Sequence, residues 1–274
     1  MSRKASRWEG QTIQALRERW DRPNIHLHSL IDSTNEHAKA LADDGAPAGT
    51  IVLADMQSGG RGLGDRSWYS QKGAGLYLSL VFRPQELANP LLVPLLAGLG
   101  TARAVESLVR GPRVSVKWPN DLIVDDRKAG GILSEVSWQG SAVNHLVLGI
   151  GINVHNRPDD FPEPLRDIAI SLDTASGRTV SRLELADQVL DEVEDRCANL
   201  PEALDLELLR EFDDYDWLRD RRCAIETSPG SAPVRGTAVG IGPDGALLFR
   251  PDKGALQRIT AGRIRAEELA LPDY

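Results

Sequence analysis

The chain has 274 residues, 41% apolar and 26% charged, with 32 basic against 40 acidic side chains and a net charge of −8. That suffices for one sizeable core with a small appendage, and the acidic balance argues against a protein whose main task is holding duplex DNA. Two cysteines make no disulfide framework or paired-thiol metal motif, no apolar run is long enough to span a membrane, and MSRKASRWEGQ lacks the apolar segment of a secretory signal, so the expected location is the cytoplasm.

Residues 1–24 read as a polar N-terminal extension with a short helix over about 12–20. IHLHS (25–29) reads as a strand, with His26 and His28 as ordinary strand histidines. In DSTNEHAKALADDG, Ser33 is the expected N-cap, Glu36 three residues on completes a capping box, and Gly45 ends the helix. IVLADMQ (51–57) is a short buried strand that runs into SGGRGLGDRSW (58–68), a loop of four glycines and two arginines.

GLYLSLVFRP (75–84) alternates with period two, so Leu76, Leu78, Leu80 and Phe82 face one way and Tyr77, Ser79, Val81 and Arg83 the other. Asn89 as N-cap, Pro90 at the first helical position and Gly111 past the end bracket a long apolar helix. VSVKWPNDLIVDDRKAGGILSEVSW is expected as strand, turn, strand, turn, strand, and LVLGIGINV (146–154) as a buried strand. Residues 156–180 read as loop or short helices. A strong helix follows, capped by Ser181 and Glu184, with Leu183, Ala186, Leu190, Val193 and Cys197 at helical spacing. From about residue 220, short strands separated by Gly/Pro/Asp turns suggest a small β-barrel. The expected fold class is therefore α+β, organised as 1–24 extension, 25–218 main domain and 219–274 barrel.

Two stretches carry chemistry. In the glycine loop, backbone amides can approach a ligand closely and form an anion-binding concavity. Arg61 and Arg66 add forked donors for phosphate or carboxylate, and Trp68 offers a face for a purine. GRGLGD lacks the last glycine of the dinucleotide fingerprint and no Gly-Lys-Ser/Thr is present, so neither standard phosphate loop applies. Taken alone, the loop reads equally well as a mobile surface segment. KWPND (117–121) sets Asn120 and Asp121 beyond a rigid proline, and Lys128 precedes two glycines.

In order and spacing, DSTN (32–35), QSGGRG (57–62) with Trp68, GLYLSLVFRP, KWPND, RKAGGILSE (127–135) and GIGIN (149–153) resemble the biotin–protein ligases across roughly residues 25–200. The resemblance implies a mixed-sheet catalytic domain followed by a small β-barrel, in the form without an N-terminal DNA-binding domain. It implies ATP, Mg²⁺ and biotin as reactants, a biotinoyl-AMP intermediate, and a lysine of a biotin carboxyl carrier domain as acceptor. The acidic charge and the lack of a long apolar run lead to the expectation of no nucleic-acid or membrane partner, and the resemblance allows either a monomer or a homodimer. By the same resemblance, Ser33, Thr34, Asn35, Gln57, Gly60, Arg61, Gly62, Lys128 and Gly131 would bind biotin. Arg61, Arg66, Trp68, Asn120, Asp121, Lys128 and Asn153 would hold the nucleotide, with Lys128, Arg61 and Arg66 as the catalytic cations and Asp121 as a Mg²⁺ ligand. The family loop commonly reads G-R-G-R-x-G-R-x-W; here Leu63 stands at the fourth position, so one expected arginine is missing. A lipoate–protein ligase, or a biotin-binding regulator without turnover, remains as an alternative.

Overall fold

In the computed structural model, residues 2–228 and 230–267 are described; Met1, Pro229 and the last part of the expected barrel unit, residues 268–274, lie outside them. The N-terminal segment holds β1 (Arg3–Lys4), β2 (Arg7–Trp8), β3 (Gln11–Thr12) and α1 (Ile13–Trp20). Then follow β4 (Ile25–Leu30), α2 (Thr34–Asp43), β5 (Ile51–Ala54), β6 (Gly75–Phe82) and α3 (Leu92–Leu108). The strands β7 (Val114–Lys117), β8 (Asp121–Val124), β9 (Arg127–Gln139) and β10 (Ala142–Asn153) come next, before α4 (Leu172–Ser176), α5 (Arg182–Cys197) and α6 (Leu206–Tyr215). The chain continues in β11 (Arg222–Glu226), β12 (Val234–Ile241), β13 (Leu247–Pro251), β14 (Gln257–Ile259) and β15 (Arg263–Ala266).

Eight strands form one sheet in the order β1-β4-β5-β6-β10-β9-β8-β7. The β4–β5 pair is parallel, because α2 crosses between them, and the neighbours from β5 onward are antiparallel hairpins or returns. One face is covered by α3 and α5, and its core includes Leu53, Leu78, Leu148 and Ile150. The other face carries α2 over a smaller apolar cluster of Val52, Ala54, Val81 and Val147, which Ala38 and Ala42 approach closely because they are small. β6 is central, so both of its faces are buried, and the predicted alternation separates two interiors rather than inside from outside.

Several boundaries differ from expectation. Helix α3 begins at Leu92, not Pro90; Asn89 Oδ1 accepts from Leu91 N at 3.1 Å, making a turn ahead of the helix instead of its cap. On α5 the buried stripe includes Leu185 and Val189, while Leu183 is only half-buried. Sequence reasoning missed β1, the β2–β3 hairpin, α6 and β15; the two-residue strands β1, β2 and β3 leave no periodicity to read, whereas α6 carries a readable cap at Asp205. The hairpin is held by Arg182, a buried side chain that pairs with Glu9, donates to Asp55 and to Gly75 O at 3.1 Å, and stacks over Trp8.

The expected C-terminal barrel is a five-stranded antiparallel sheet in the order β14-β13-β12-β11-β15. Its turn at Pro243–Gly245 docks on the main body. Trp118 Nε1 donates to Gly245 O at 2.9 Å and Asn89 Nδ2 to Asp244 O at 2.9 Å. Gly245 has φ +81 and leaves no room beside Leu92 and Leu95 for a side chain. Among the described residues, no helix is long and apolar enough to cross a membrane.

Candidate active site

A cleft of about 610 Å³, counted to its open mouth, lies on the α2 face of the main sheet under the glycine loop. Register explains the hollow. Tyr77, Gly151, Gly131 and Asp121 stand opposite one another across β6, β10, β9 and β8, and Ser79, Gly149 and Leu133 form the next row. Because strand side chains alternate, the isoleucines of GIGIN enter the core and its glycines leave space on the cleft face. Trp68 lies on Gly151, where a Cβ would come within 2.6 Å of the indole Nε1. Asn35 lies over Gly149, where a Cβ would come within 2.0 Å of Asn35 Oδ1.

One end of the cleft is neutral and polar. Thr34 N donates to Gln57 Oε1 at 2.8 Å, and Gln57 Nε2 donates to Ser70 Oγ at 2.9 Å. Ser79 Oγ lies 2.7 Å from Asn35 Oδ1 and 2.9 Å from Thr34 Oγ1. Ser33, Thr34, Asn35 and Gln57 all line the cleft. Their mutual bonds fix donors and acceptors in place, which suits a neutral ligand rich in both.

The other end is charged. Lys128 Nζ lies 2.5 Å from Asp121 Oδ1 and 5.6 Å from the centre of the Trp68 ring. Lys128 is fixed through its backbone: its N donates to Ile168 O at 2.7 Å, and Ile170 N donates to its carbonyl at 3.0 Å. Asn120 donates through Nδ2 to Ile132 O at 2.7 Å. Gly131 sits beneath Lys128 and Trp68, with room there for no more than a Cβ in contact. An adjoining recess is lined by Arg66, Lys117, Asn120, Asp121 and Lys128, and by Arg263 from the C-terminal sheet. Four cationic side chains on one recess suit a polyphosphate.

The glycine loop is an ordered hairpin rather than a slack connection. Trp68 N donates to Gly60 O and Gly62 N to Arg66 O, each at 2.8 Å, and Gly64 turns the tip at φ +69. Its base is tied to α2's approach by Ser58 N to Ile31 O and Gly59 N to Asp32 O. Gly60 has no room for a Cβ, which would fall 2.5 Å from Trp68 O. Gly62, Leu63, Arg66 and Trp68 line the cleft, Leu63 being 46% exposed. The buried Trp68 Nε1 has no hydrogen-bond partner, an unmet donor at the cleft wall.

Arg61 lines the cleft but is paired with Glu36. The sequence assigned Glu36 to a capping box. Ser33 Oγ does accept from Glu36 N, at 3.4 Å, yet the Glu36 carboxylate turns outward to Lys39 and Arg61. Burial works against its ionisation, and these two cations overcome that and hold the carboxyl below its usual range. Lys39 also donates to Glu135 Oε1 at 3.0 Å, and Asn35 Nδ2 donates to Glu135 Oε2 at 3.0 Å.

The remaining expected residue, Asn153, is set apart from this group. It is buried at the end of β10 and donates to Ile170 O at 3.4 Å. Sequence reading missed Ser79, Ser70, Leu133, Glu135, Gly149, Gly151 and Lys117. The alternation of β6 and of GIGIN was the available signal for Ser79 and the two glycines. Arg263 is conspicuous in the run ITAGRIR, but its role is not assignable from sequence, because a separate sheet delivers it to the recess. No group of three or more His, Cys, Asp or Glu that could hold a metal exists among the described residues. Asp121 is the carboxylate on the cleft, and it fits a Mg²⁺ held mainly by substrate phosphates, since that ion commonly takes only one or two protein carboxylates.

A sequence profile of the Biotin/lipoate A/B protein ligase family matches residues 27–153, and one of the Biotin protein ligase C terminal domain matches residues 220–265. The biotin--[acetyl-CoA-carboxylase] ligase of Paracoccus denitrificans is 33% identical over 232 residues, covering 81% of this chain and 92% of that protein. The bifunctional ligase/repressor BirA of Bacillus subtilis is 38% identical over 168 residues, 61% of this chain; the match spans 51% of that relative's length. Among solved structures, the biotin protein ligase from Aquifex aeolicus in complex with biotin and ATP superimposes with a TM-score of 0.77 at 30% identity, over 89% of this chain and 100% of that one.

Proposed function

The chain belongs to the biotin–protein ligase family, and from that premise we propose that it joins biotin to a lysine of a biotin carboxyl carrier domain at the expense of ATP. In the first step a carboxylate oxygen of biotin attacks the α-phosphorus of ATP. The bond from that phosphorus to the bridging oxygen breaks, and pyrophosphate leaves with the electron pair. In the second, the acceptor lysine amine attacks the carbonyl carbon of the mixed anhydride. The amine's proton passes to solvent, the carbon–oxygen bond breaks, and AMP departs.

The observation that carries the reading is Lys128 Nζ inside the cleft, beside Asp121 and Trp68, at the join between the neutral polar end and the cationic recess. Two anions, a carboxylate and a triphosphate, must meet there. A cation between them offsets their repulsion and stabilises charge that develops at phosphorus, an effect often of about 3 kcal/mol. Ser33, Thr34, Asn35 and Gln57 suit biotin's ureido ring, which is neutral and needs donors and acceptors. Arg66, Lys117 and Arg263 suit the phosphates beyond it, and Trp68 suits the base. Asp121 would contribute one oxygen to Mg²⁺, which when bound neutralises the leaving pyrophosphate. The glycine loop would cover the hydrolysable anhydride and exclude water.

The test is ATP-dependent incorporation of labelled biotin into a biotin carboxyl carrier domain, with lipoate in competition. Biotin amide on the acceptor lysine is expected. Absence of labelling, or preferential incorporation of lipoate, would overturn the proposal.

A further inference from the structure

We infer that Glu36 is a positioning residue whose carboxylate is the catch holding the glycine loop across the cleft through Arg61. The inference rests on the reading of that loop as the cover of the reacting molecules, and it adds the residue that keeps the cover shut.

The hairpin of residues 58–68 is fastened at its base by backbone bonds to Ile31 and Asp32, while its tip at Leu63, Gly64 and Asp65 is exposed. Between base and tip, Arg61 lines the cleft and reaches α2. There it pairs with Glu36 in the first turn of α2, and its Nη1 lies 4.0 Å from Glu135 Oε1 on β9. The receiving site is built. Lys39 stands behind both carboxylates, 3.3 Å from Glu36 and 3.0 Å from Glu135. Asn35 holds the other oxygen of Glu135, and Asn35 is itself set by Ser79 at the floor of the cleft.

Charge balance gives the catch its direction. Glu36 and Glu135 bring two carboxylates, and Lys39 answers one of them. Arg61 supplies the second cation only when the loop lies over the cleft, so the shut position completes a balanced set and the open one leaves a carboxylate in excess. Leu63 makes the catch matter more. With an apolar residue at that point of the loop, closure has one cation fewer to draw on, and Arg61 carries more of it.

The pair is partly exposed, 43% for Arg61 and 46% for Glu36. Exposed pairs are individually weak and screened by salt, so the expected effect is modest and ionic-strength dependent. In Glu36→Gln, amide exchange of residues 58–68 in the protein alone should quicken about fivefold at low salt, and biotinoyl-AMP should be released faster by a similar factor. The rate of adenylate formation in a single turnover should stay within twofold. Glu36→Asp, which keeps the charge on a shorter arm, should fall between. High salt should bring wild type and Glu36→Gln together. Unchanged loop exchange in Glu36→Gln, or faster exchange and release that salt does not affect, would overturn the inference. If loop exchange quickens as expected while the wild type forms no adenylate, the catch stands and the ligase reading falls.

Discussion

Lys128 and Leu63 sit on the same cleft and make opposite statements about charge. Lys128 Nζ stands 2.5 Å from Asp121 and is held by backbone bonds to Ile168 and Ile170, so its position is set independently of any ligand. Lys128→Ala is expected to slow adenylate formation by about two orders of magnitude or more, with a smaller loss of biotin affinity. Pyrophosphate exchange and calorimetric biotin binding measure the two; normal exchange in the variant would reassign the catalytic cation. Leu63, exposed on the loop, stands where the family resemblance leads one to expect arginine. Leu63→Arg should slow dissociation of biotinoyl-AMP severalfold, and an unchanged off-rate would show that the missing cation has no part in retention. Both residues stood out only through the family resemblance; by itself Lys128 reads as an ordinary hairpin lysine and Leu63 as an ordinary loop residue. Glu36 was visible too, but with the wrong partner, because a capping box and an outward ion pair need the same residue at the same place.

For the elements, the alternation of β10 decides whether there is a site at all. Gly149 and Gly151 face the cleft while Leu148, Ile150 and Ile152 are buried in the core. Gly149→Ala drives a Cβ into Asn35, which must give up its place beside Ser79. The expected result is at least about a tenfold loss of biotin affinity, since a displaced hydrogen-bonding group costs about 1–3 kcal/mol; calorimetry on the variant checks it. On the same face, His26 and His28 of β4 meet His37 of α2, with ring centres 5.9 and 4.8 Å apart. Burial, then His37, His26 and Lys4, push His28 down to about 4 from an ordinary 6.5. His26 and His37 are lowered for related reasons, burial first. The folded state refuses protons that the unfolded chain accepts, so this cluster's contribution is complete above pH 6.5 and is lost as pH falls towards 4. Urea midpoints should drop across that window, and the drop should be smaller in His28→Gln. Equal slopes in variant and wild type would place the acid sensitivity elsewhere.

Across the whole molecule, the cleft depends on two sheets being locked together. Trp118 belongs to KWPND, yet its indole is 2% exposed and donates to Gly245 O in the C-terminal sheet. That bond joins the turn carrying Asn120 and Asp121 to the unit that brings Arg263 to the recess. Trp118→Phe should lower stability by about 1–3 kcal/mol, because a buried carbonyl loses its donor, and should raise the KM for ATP more than that for biotin. Thermal unfolding and steady-state kinetics test the two halves, and equal effects on both substrates would count against a role in joining the sheets. The sequence by itself determined the longer strands and most helices, since periodicity and caps are local properties, and the resemblance carried by its short spaced motifs named the polar and cationic residues expected at the cleft. It could not determine that Asn89 yields its cap to a turn, that Glu36 faces Arg61, or that Arg263 and Lys117 share a recess. Those depend on which distant segments meet, and that is settled only when strand register and the docking of one sheet on another bring them within reach.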